Sequence, residues 1–198
     1  MKKPSDNKLY SYKMTHDNRF APNPLHGVLT LATCKPGIRR NTQTGNWIAG
    51  WSSKQLDGCF TEIGEEKLIY LARVTDKIPY AQYWEEYPQK RPYNIYNKDS
   101  EGFCGDNIYQ PSDDDPSGFI QLKNGNHKEE HKAHDLKGKN VLICTEFYYF
   151  GRKQPLDVPQ NMRPNVPKVQ TAYGMITPDA SEFINFVRQN ADKCHRKN

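Results

Sequence analysis

Residues 67–74, KLIYLARV, carry the strongest strand signal in the sequence, because apolar and aromatic side chains fill a run of strand length. Upstream, Gly45 and Asn46 resemble a hairpin turn, and residues 47–51, WIAGW, follow it as a second strand. The polar residues 52–66 join the two strands as a loop. We therefore expect these strands to form the centre of a sheet.

Three further segments are predicted to extend this sheet. Residues 8–14, KLYSYKM, alternate so that one face is aromatic, and residues 28–31, VLTL, make a short apolar strand. Residues 141–150, VLICTEFYYF, make two strand segments with a bulge or bend at Glu146. Because each segment calls for one buried face, we expect one strongly bent sheet, mixed or antiparallel.

Two helices are predicted beside the sheet, which makes the fold class α+β. Pro79 begins a short helix, since proline is favoured at the first helical position. Its aromatic residues share one face, which we expect to pack on the sheet rather than to contact a ligand: Tyr80, Tyr83, Trp84 and Tyr87. A C-terminal helix begins at Pro178, with Thr177 as its N-cap.

The length of 198 residues fits one domain. We expect this domain to span residues 8–198, after a disordered lead at 1–7. Residues 88–140 lack periodic structure and are predicted to form a long irregular excursion. Such loops in compact domains tend to be either functional or disordered.

Composition argues against several classes of protein. No apolar run approaches the ~18 residues of a membrane-spanning helix. The five cysteines are scattered and form no C-x-x-C pair, which favours reduced thiols in the cytoplasm and argues against a metal site. The absence of phosphate-loop and dinucleotide-binding motifs predicts no cofactor. A net charge of +5 permits a nucleic-acid or phosphate partner.

A turn rich in hydrogen-bond donors follows the strand at 28–31. It collects a hydroxyl, an ammonium and two guanidinium groups, which is typical of a phosphate or nucleic-acid site: Thr33, Lys35, Arg39 and Arg40. We expect Lys35, Arg39 and Arg40 to share one exposed face; an ordinary charged turn is the alternative. Cys34 lies among these cations, which would favour a nucleophilic thiolate, although a buried unreactive cysteine is the common alternative.

Two other segments offer groups that bind nucleobases. Trp51 can stack on a base while Ser52 and Lys54 contact its edge or a phosphate, or Trp51 can be a core residue. In GDNIY, the side chains of Asp106, Asn107 and Tyr109 suit the recognition of a polar heterocycle or acid–base chemistry. The alternative is that GDNIY anchors its loop through an Asx turn.

We expect these stretches to meet in one pocket at the rim of the sheet, formed by Asn23, Thr33, Trp51, Ser52, Lys54, Asp106, Asn107 and Tyr109. By contrast, His127 and His131 have the H-x-x-E-H spacing of a zinc peptidase class but lie in a charged run without an apolar stripe. We interpret that run, together with His134 and Asp135, as solvated.

Several strings together resemble the type 2 nucleotide modification associated domain. The resemblance covers roughly residues 8–160 and is best at four strings: APNP (21–24), LATCKPGIRR (31–40), GDNIY (105–109) and FYYFG (147–151). That family occurs in bacteria and phages, often near DNA base-modification systems, so the resemblance implies the same context here. Trp51 stands where a small residue is expected, and could fill a pocket or add a stacking face.

A second likeness concerns architecture. The order of a glycine-led strand, a loop, a strong strand and an aromatic helix is similar to PUA-like folds, which include modified-base readers of the EVE, YTH and SRA types. This analogy implies a small curved β-barrel with helices at the rim and a base held in an aromatic pocket. Fold analogy alone does not establish function.

The first functional hypothesis is a module that binds a modified base or nucleotide, probably in DNA, within a DNA-modification or phage-defence system. The alternative is an enzyme of nucleotide or DNA base modification, with Asp106 as acid or base and Cys34 as nucleophile. In that alternative Lys35, Arg39 and Lys54 bind phosphate. A protein-interaction role in defence or counter-defence is the third possibility.

Overall fold

The structure, a computed structural model, describes residues 7–195, with side chains as far as residue 191. The predicted lead at 1–7 lies outside this range except for Asn7, whose side-chain amide donates a hydrogen bond to the Ser181 hydroxyl at 2.8 Å. The helices in this range are α1 (Pro36–Asn41), α2 (Tyr80–Glu86), α3 (Lys132–Leu136) and α4 (Ser181–His195). The strands in this range are β1 (Leu9–Lys13), β2 (Leu29–Leu31), β3 (Trp47–Trp51), β4 (Leu68–Arg73), β5 (Asp76–Pro79), β6 (Tyr109–Pro111), β7 (Phe119–Gln121), β8 (Asn140–Cys144), β9 (Glu146–Tyr149) and β10 (Met175–Thr177).

The first sheet has the strand order β10-β1-β3-β4-β9. The KLIYLARV stretch forms β4, which pairs antiparallel with β3 on one side and with β9 on the other. Strands β1 and β3 run parallel, with Leu9 opposite Trp47, so the sheet is mixed. All residues of β1 and β3 are buried. The sequence of β3 is accordingly apolar on both faces, whereas β1 also buries Ser11 and Lys13, and Lys13 forms an ion pair with Glu66 at 2.8 Å.

A second sheet has the order β2-β8-β5, and a separate hairpin pairs β6 with β7. The chain crosses between the two larger sheets four times along β1–β2–β3, β4–β5 and β8–β9, and the last two crossings are short corners, with only Thr145 between β8 and β9. The bend expected at Glu146 therefore exists, one residue earlier. The expectation of one sheet is corrected to two, because these corners turn β8 and β2 into a layer of their own.

The described residues form four layers, which are α4, the first sheet, the second sheet and α2, and a hydrophobic core lies between each neighbouring pair. Strand β8 alternates, so that Leu142 and Cys144 face the core between the two sheets while Val141 and Ile143 face the opposite core under α2. Helix α4 covers the outer face of the first sheet through Phe183, Ile184 and Val187. The α+β class is thus confirmed; among residues 7–195 no closed barrel is found, so the PUA-like barrel is not confirmed.

The two predicted helices are present. The stripe on α2 packs inward, with Tyr80 and Tyr83 buried. Helix α4 begins three residues after Pro178, because Asp179 rather than Thr177 accepts a hydrogen bond from the Ser181 amide. The 88–140 excursion contains the β6–β7 hairpin, α3 and short 3₁₀ turns. No helix in the described range has the length and hydropathy needed to cross a membrane.

Candidate functional site

Two connected cavities form a cleft where four segments of the chain converge. Their volumes are about 300 and 560 Å³, of the size that small-molecule sites usually have. The residues that line both cavities are His16, Cys34, Lys35, Asn126, His127 and Gln170. They come from the chain after β1, the turn before α1, the end of the long excursion and the approach to β10, so the fold brings together residues that are remote in sequence.

The inner cavity has aromatic walls. Tyr12 and Phe20 line it, and the Phe20 ring lies 5.5 Å from the His127 ring, centroid to centroid. The Tyr12 hydroxyl is hydrogen-bonded to the Tyr70 hydroxyl at 2.7 Å, in the core between the sheets. The Tyr12 hydroxyl is therefore used within the core, and the rings of Tyr12 and Phe20, which are 2% and 3% exposed, form the apolar wall of the cavity.

The outer cavity is basic. Its cationic or protonatable side chains among the described residues are His16, Lys35, His127, Lys128, His131 and His134. The one described carboxylate in its lining is Asp135, which is fully buried. The side chain of Gln170 is exposed and makes no hydrogen bond with any described residue, so its amide is available to a ligand. The cavity thus suits an anionic ligand with a polar edge.

Lys35 is the cation best placed to hold that anion. Its Nζ donates one hydrogen bond, to the Thr171 carbonyl at 3.1 Å, and lies 5.2 Å from the centre of the Tyr12 ring. Burial lowers the pKa of Lys35 to about 8. Since an ammonium has three donors, Lys35 keeps N–H groups for a ligand while it is protonated.

The turn that presents Lys35 has an unusual backbone. Cys34 and Lys35 have consecutive positive φ angles of 57° and 41°, a region that side-chain-bearing residues seldom adopt and that costs about 1–3 kcal/mol each. The Cys34 amide donates to Asp135 Oδ1 at 2.7 Å, which holds the turn in this conformation. Strained backbone persists only where the surroundings fix it, as Asp135 does here.

Asp135 is the hub beneath the cleft. Its Oδ2 accepts a hydrogen bond from the Tyr109 hydroxyl at 2.9 Å and lies 2.8 Å from His127 Nε2. Burial opposes ionisation of this carboxyl, but His127 and Arg39 outweigh it and hold its pKa below the usual range. An ionised Asp135 therefore holds the Cys34 turn through a hydrogen bond and lies beside His127, whose Nε2 is buried and makes no hydrogen bond with any described residue.

The predicted cationic face is corrected at Arg39. This side chain is fully buried, and its guanidinium donates to the carbonyls of Cys34, Asn140 and Asp135. It also donates to the Tyr80 hydroxyl. Arg39 thus stabilises the floor of the cleft and has no donor facing solvent, while Arg40 is exposed but lines neither cavity.

Cys34 lines the cleft, but its chemistry differs from the expectation of a thiolate. Burial raises the pKa of the Cys34 thiol to about 11, because desolvation and Asp135 outweigh the neighbouring cations. At neutral pH the thiol is protonated. The electrostatic reason for a nucleophile is therefore absent.

The residues of GDNIY have two roles. Asp106 and Asn107 anchor the loop, and Tyr109 contacts Asp135. Asp106 is fully buried and accepts hydrogen bonds from the Thr30 and Tyr83 hydroxyls, both at 2.7 Å. Burial raises the pKa of Asp106 to about 6, and Lys90 opposes that rise. Asn107 donates to the Tyr83 and Tyr87 carbonyls, as an anchor would.

Asn23 belongs to the same buried network. Its carbonyl and its side-chain oxygen each accept from Lys90 Nζ at 3.0 Å. Asn23 also donates to the Cys104 carbonyl at 2.8 Å. Neither Asn23 nor Asp106 lines the cleft, so this group holds the excursion against β2 and α2.

The expected single pocket is not formed. Trp51 is fully buried on the opposite face of the first sheet and stacks on Phe183 of α4, with ring centroids 5.6 Å apart. Ser52 is buried and hydrogen-bonds with Thr61, and the exposed Lys54 forms an ion pair with Glu62. Trp51 is therefore a core residue, the second of the two roles considered for it, and no face of its ring is free for a base.

Of the residues expected from the sequence, Lys35 and Cys34 line the cleft, and Tyr109 and Arg39 act on it through Asp135. Thr33 is buried and lines neither cavity. Sequence reasoning missed Tyr12, Asn126, His127, Asp135 and Gln170. His127 and Asp135 were interpreted as solvated because they lie in a charged run; nothing in that run shows that its two ends fold back on each other beside Cys34.

The family model described as nucleotide modification associated domain 2 matches residues 6–197. The chain belongs to this family. The match confirms the resemblance seen at residues 8–160 and extends it through α4. No curated protein and no solved structure matches the chain. The description of the family connects the chain with nucleotide modification and with a nucleotide or nucleic-acid partner.

Proposed function

We propose that the cleft binds a nucleotide or a modified nucleobase. The observation that carries this proposal is the combination of an aromatic wall, a free amide and a half-buried ammonium in one pair of cavities: Tyr12 and Phe20, Gln170, and Lys35. Membership of the nucleotide modification associated domain 2 family supports a ligand of this class.

Each group has a role that its chemistry suits. The base occupies the inner cavity, where stacking on ring surface is favourable for any base and amides distinguish its edge. The phosphate lies in the outer cavity, where a charge-assisted hydrogen bond from Lys35 is stronger than one between neutral groups. Asp135 does not contact the ligand; it holds the turn of Cys34 and Lys35 in position and lies beside the ring of His127.

A second candidate is an enzyme that modifies the bound nucleotide. The observation that favours it is the 2.8 Å separation of His127 Nε2 and Asp135 Oδ2 in the wall of the cleft. An imidazole oriented by a carboxylate is a common proton-transfer pair. This candidate uses His127 rather than Asp106, because Asp106 contacts protein groups away from the cleft.

A panel of plain and base-modified deoxynucleoside monophosphates, measured by thermal shift and calorimetry, tests the proposal. A ligand at ~100 times its Kd should raise the free energy of unfolding by ~2.7 kcal/mol. Gln170→Ala should weaken binding about fivefold, through one lost hydrogen bond worth ~1 kcal/mol, and leave the unliganded Tm unchanged.

Gln189→Ala is the matched control, since Gln189 is an exposed glutamine on α4 that lines neither cavity. Equal affinities of Gln170→Ala and Gln189→Ala for every nucleotide that binds would contradict the proposed cleft. Mass analysis of the recovered nucleotide separates the two candidates. A binding module returns it unchanged, whereas the enzyme converts it and His127→Gln retains binding but loses conversion.

A further inference from the structure

A second depression, with a volume of about 690 Å³, adjoins the cleft. It is lined by four basic side chains: Arg19, Lys98, Arg152 and Lys153. Two carboxylates also line it, but Asp17 already accepts hydrogen bonds from the Tyr149 hydroxyl and from the Arg152 amide, the latter at 2.7 Å. We call this depression the basic groove. Its cations outnumber its carboxylates, so it attracts anions.

Most of these cations are not neutralised by the protein. Among the described residues, Arg19, Lys98 and Lys153 have no carboxylate within 4.0 Å, the limit of an ion pair. Lys98 and Lys153 are exposed. Arg152 is the exception, because its guanidinium lies 3.9 Å from the Asp57 carboxylate and donates to the Asp57 carbonyl at 3.3 Å.

The basic groove and the cleft share a wall. Asn18 lines both, and its amide donates to Asn126 Oδ1 at 2.6 Å. Asn126, in the cleft, donates in turn to the carbonyl of Phe103, which lines the groove. An anion in the groove is therefore an immediate neighbour of a ligand in the cleft.

An exposed aromatic ring lies in the loop that carries Lys98. Tyr96 is 83% exposed, two residues before Lys98 along the chain. A basic groove that follows the backbone and an exposed ring on which a base stacks are the two elements of single-stranded nucleic-acid binding. A free mononucleotide would use neither.

We propose that the ligand of the cleft is one unit of a single-stranded polynucleotide, whose neighbouring phosphates lie in the basic groove and whose adjacent base stacks on Tyr96. This inference rests on the proposed function of the cleft and adds the class of substrate. A base inside a duplex cannot enter a recessed cavity without leaving the stack. The strand is therefore single, or locally opened, at the bound unit.

Binding of a labelled oligodeoxynucleotide of about 12 units, followed by fluorescence anisotropy over a salt series, tests the inference. The wild-type protein should bind it more tightly than a deoxynucleoside monophosphate. The double substitution Lys98→Gln and Lys153→Gln should weaken this binding about tenfold or more near 50 mM salt and reduce the salt slope by about 1.4, from two lost phosphate contacts. Tyr96→Ala should weaken it about fivefold.

Lys137→Gln with Lys139→Gln is the matched control, because it removes the same charge from exposed lysines outside the cleft and the groove. The inference is overturned if the groove and control variants bind the oligonucleotide alike, or if polyglutamate displaces it and Tyr96→Ala has no effect. If the variant with Lys98→Gln and Lys153→Gln binds a deoxynucleoside monophosphate as the wild type does, the proposed function of the cleft is supported even when the inference fails. Oligonucleotide binding that depends on Lys98 and Lys153 but not on Lys35 would also overturn the inference, because no unit of the strand would then occupy the cleft.

Discussion

At the scale of single residues, Lys35 makes the proposed function dependent on pH. Its pKa is about 8 because the ammonium is partly buried. A nucleotide phosphate has its second pKa near 6, so its charge is constant at higher pH. The affinity for a deoxynucleoside monophosphate should therefore fall between pH ~7 and ~9 as Lys35 loses its proton, a profile that calorimetry at a series of pH values measures.

Lys35→Arg is the control, since arginine does not titrate in this range. An affinity that declines equally in Lys35→Arg would show that another group is responsible. The contribution of Lys35 to stability has the opposite sign. Because the pKa of Lys35 is about 8 in the folded chain and 10.5 ordinarily, the unfolded chain holds more protons between these two values, and the free energy of unfolding rises with pH from about 8 to about 10.5.

At the scale of elements, GDNIY fastens the long excursion to β2 and α2 through Asp106. Asp106→Asn removes the carboxylate that accepts from Thr30 and Tyr83 and leaves the buried ammonium of Lys90 without its neighbouring negative charge. Hydrogen bonds to a charged group contribute about 1.5–3 kcal/mol each, and the amide of asparagine can recover part of that by hydrogen bonding. We expect the free energy of unfolding to fall by about 2–4 kcal/mol.

Chemical denaturation measures this loss, with Asp113→Asn, at an exposed aspartate in the same excursion, as the control. Nucleotide affinity should be unaltered in both variants, because Asp106 lines neither cavity. If Asp106→Asn is as stable as the wild type and has an altered nucleotide preference, Asp106 contacts the ligand and the anchoring role is contradicted.

The predictable elements are those whose pattern of apolar residues fits only one type of secondary structure. Strands β1, β3 and β4 and helix α2 follow from periodicity in the sequence. Helix α1 was missed, because it follows two residues with positive φ that depend on Asp135, about a hundred positions away. The side of the sheet that Trp51 faces depends on where α4 packs, which periodicity does not reveal.

The site was less predictable than the fold for the same reason. Lys35 was found because it lies at a strand end, where functional groups collect. The placement of His127 and Asp135 at the cleft depends on contacts with Phe20 and Tyr109, which are far from them in the sequence. Asp106 and Arg39 carry chemically capable groups, but the fold uses them internally, and only the burial of each side chain distinguishes that use from ligand binding.

At the scale of the whole molecule, the two sheets meet so that the chain after β1 and the turn before α1 lie side by side. The excursion and the segment before β10 close the cleft from the other side. The ligand is therefore expected to touch four segments that are far apart in the sequence. Ligand contacts confined to one segment would not require this arrangement.

Hydrogen–deuterium exchange with and without a saturating deoxynucleoside monophosphate tests this central claim most directly. We expect slower exchange together at residues 14–18, 34–35, 125–128 and 170–172, the segments that line the cleft. Exchange at 51–54 and 105–109 should be unchanged, because these segments lie outside it. Protection confined to 51–54 or 105–109, with none around Lys35 and His127, would contradict the account.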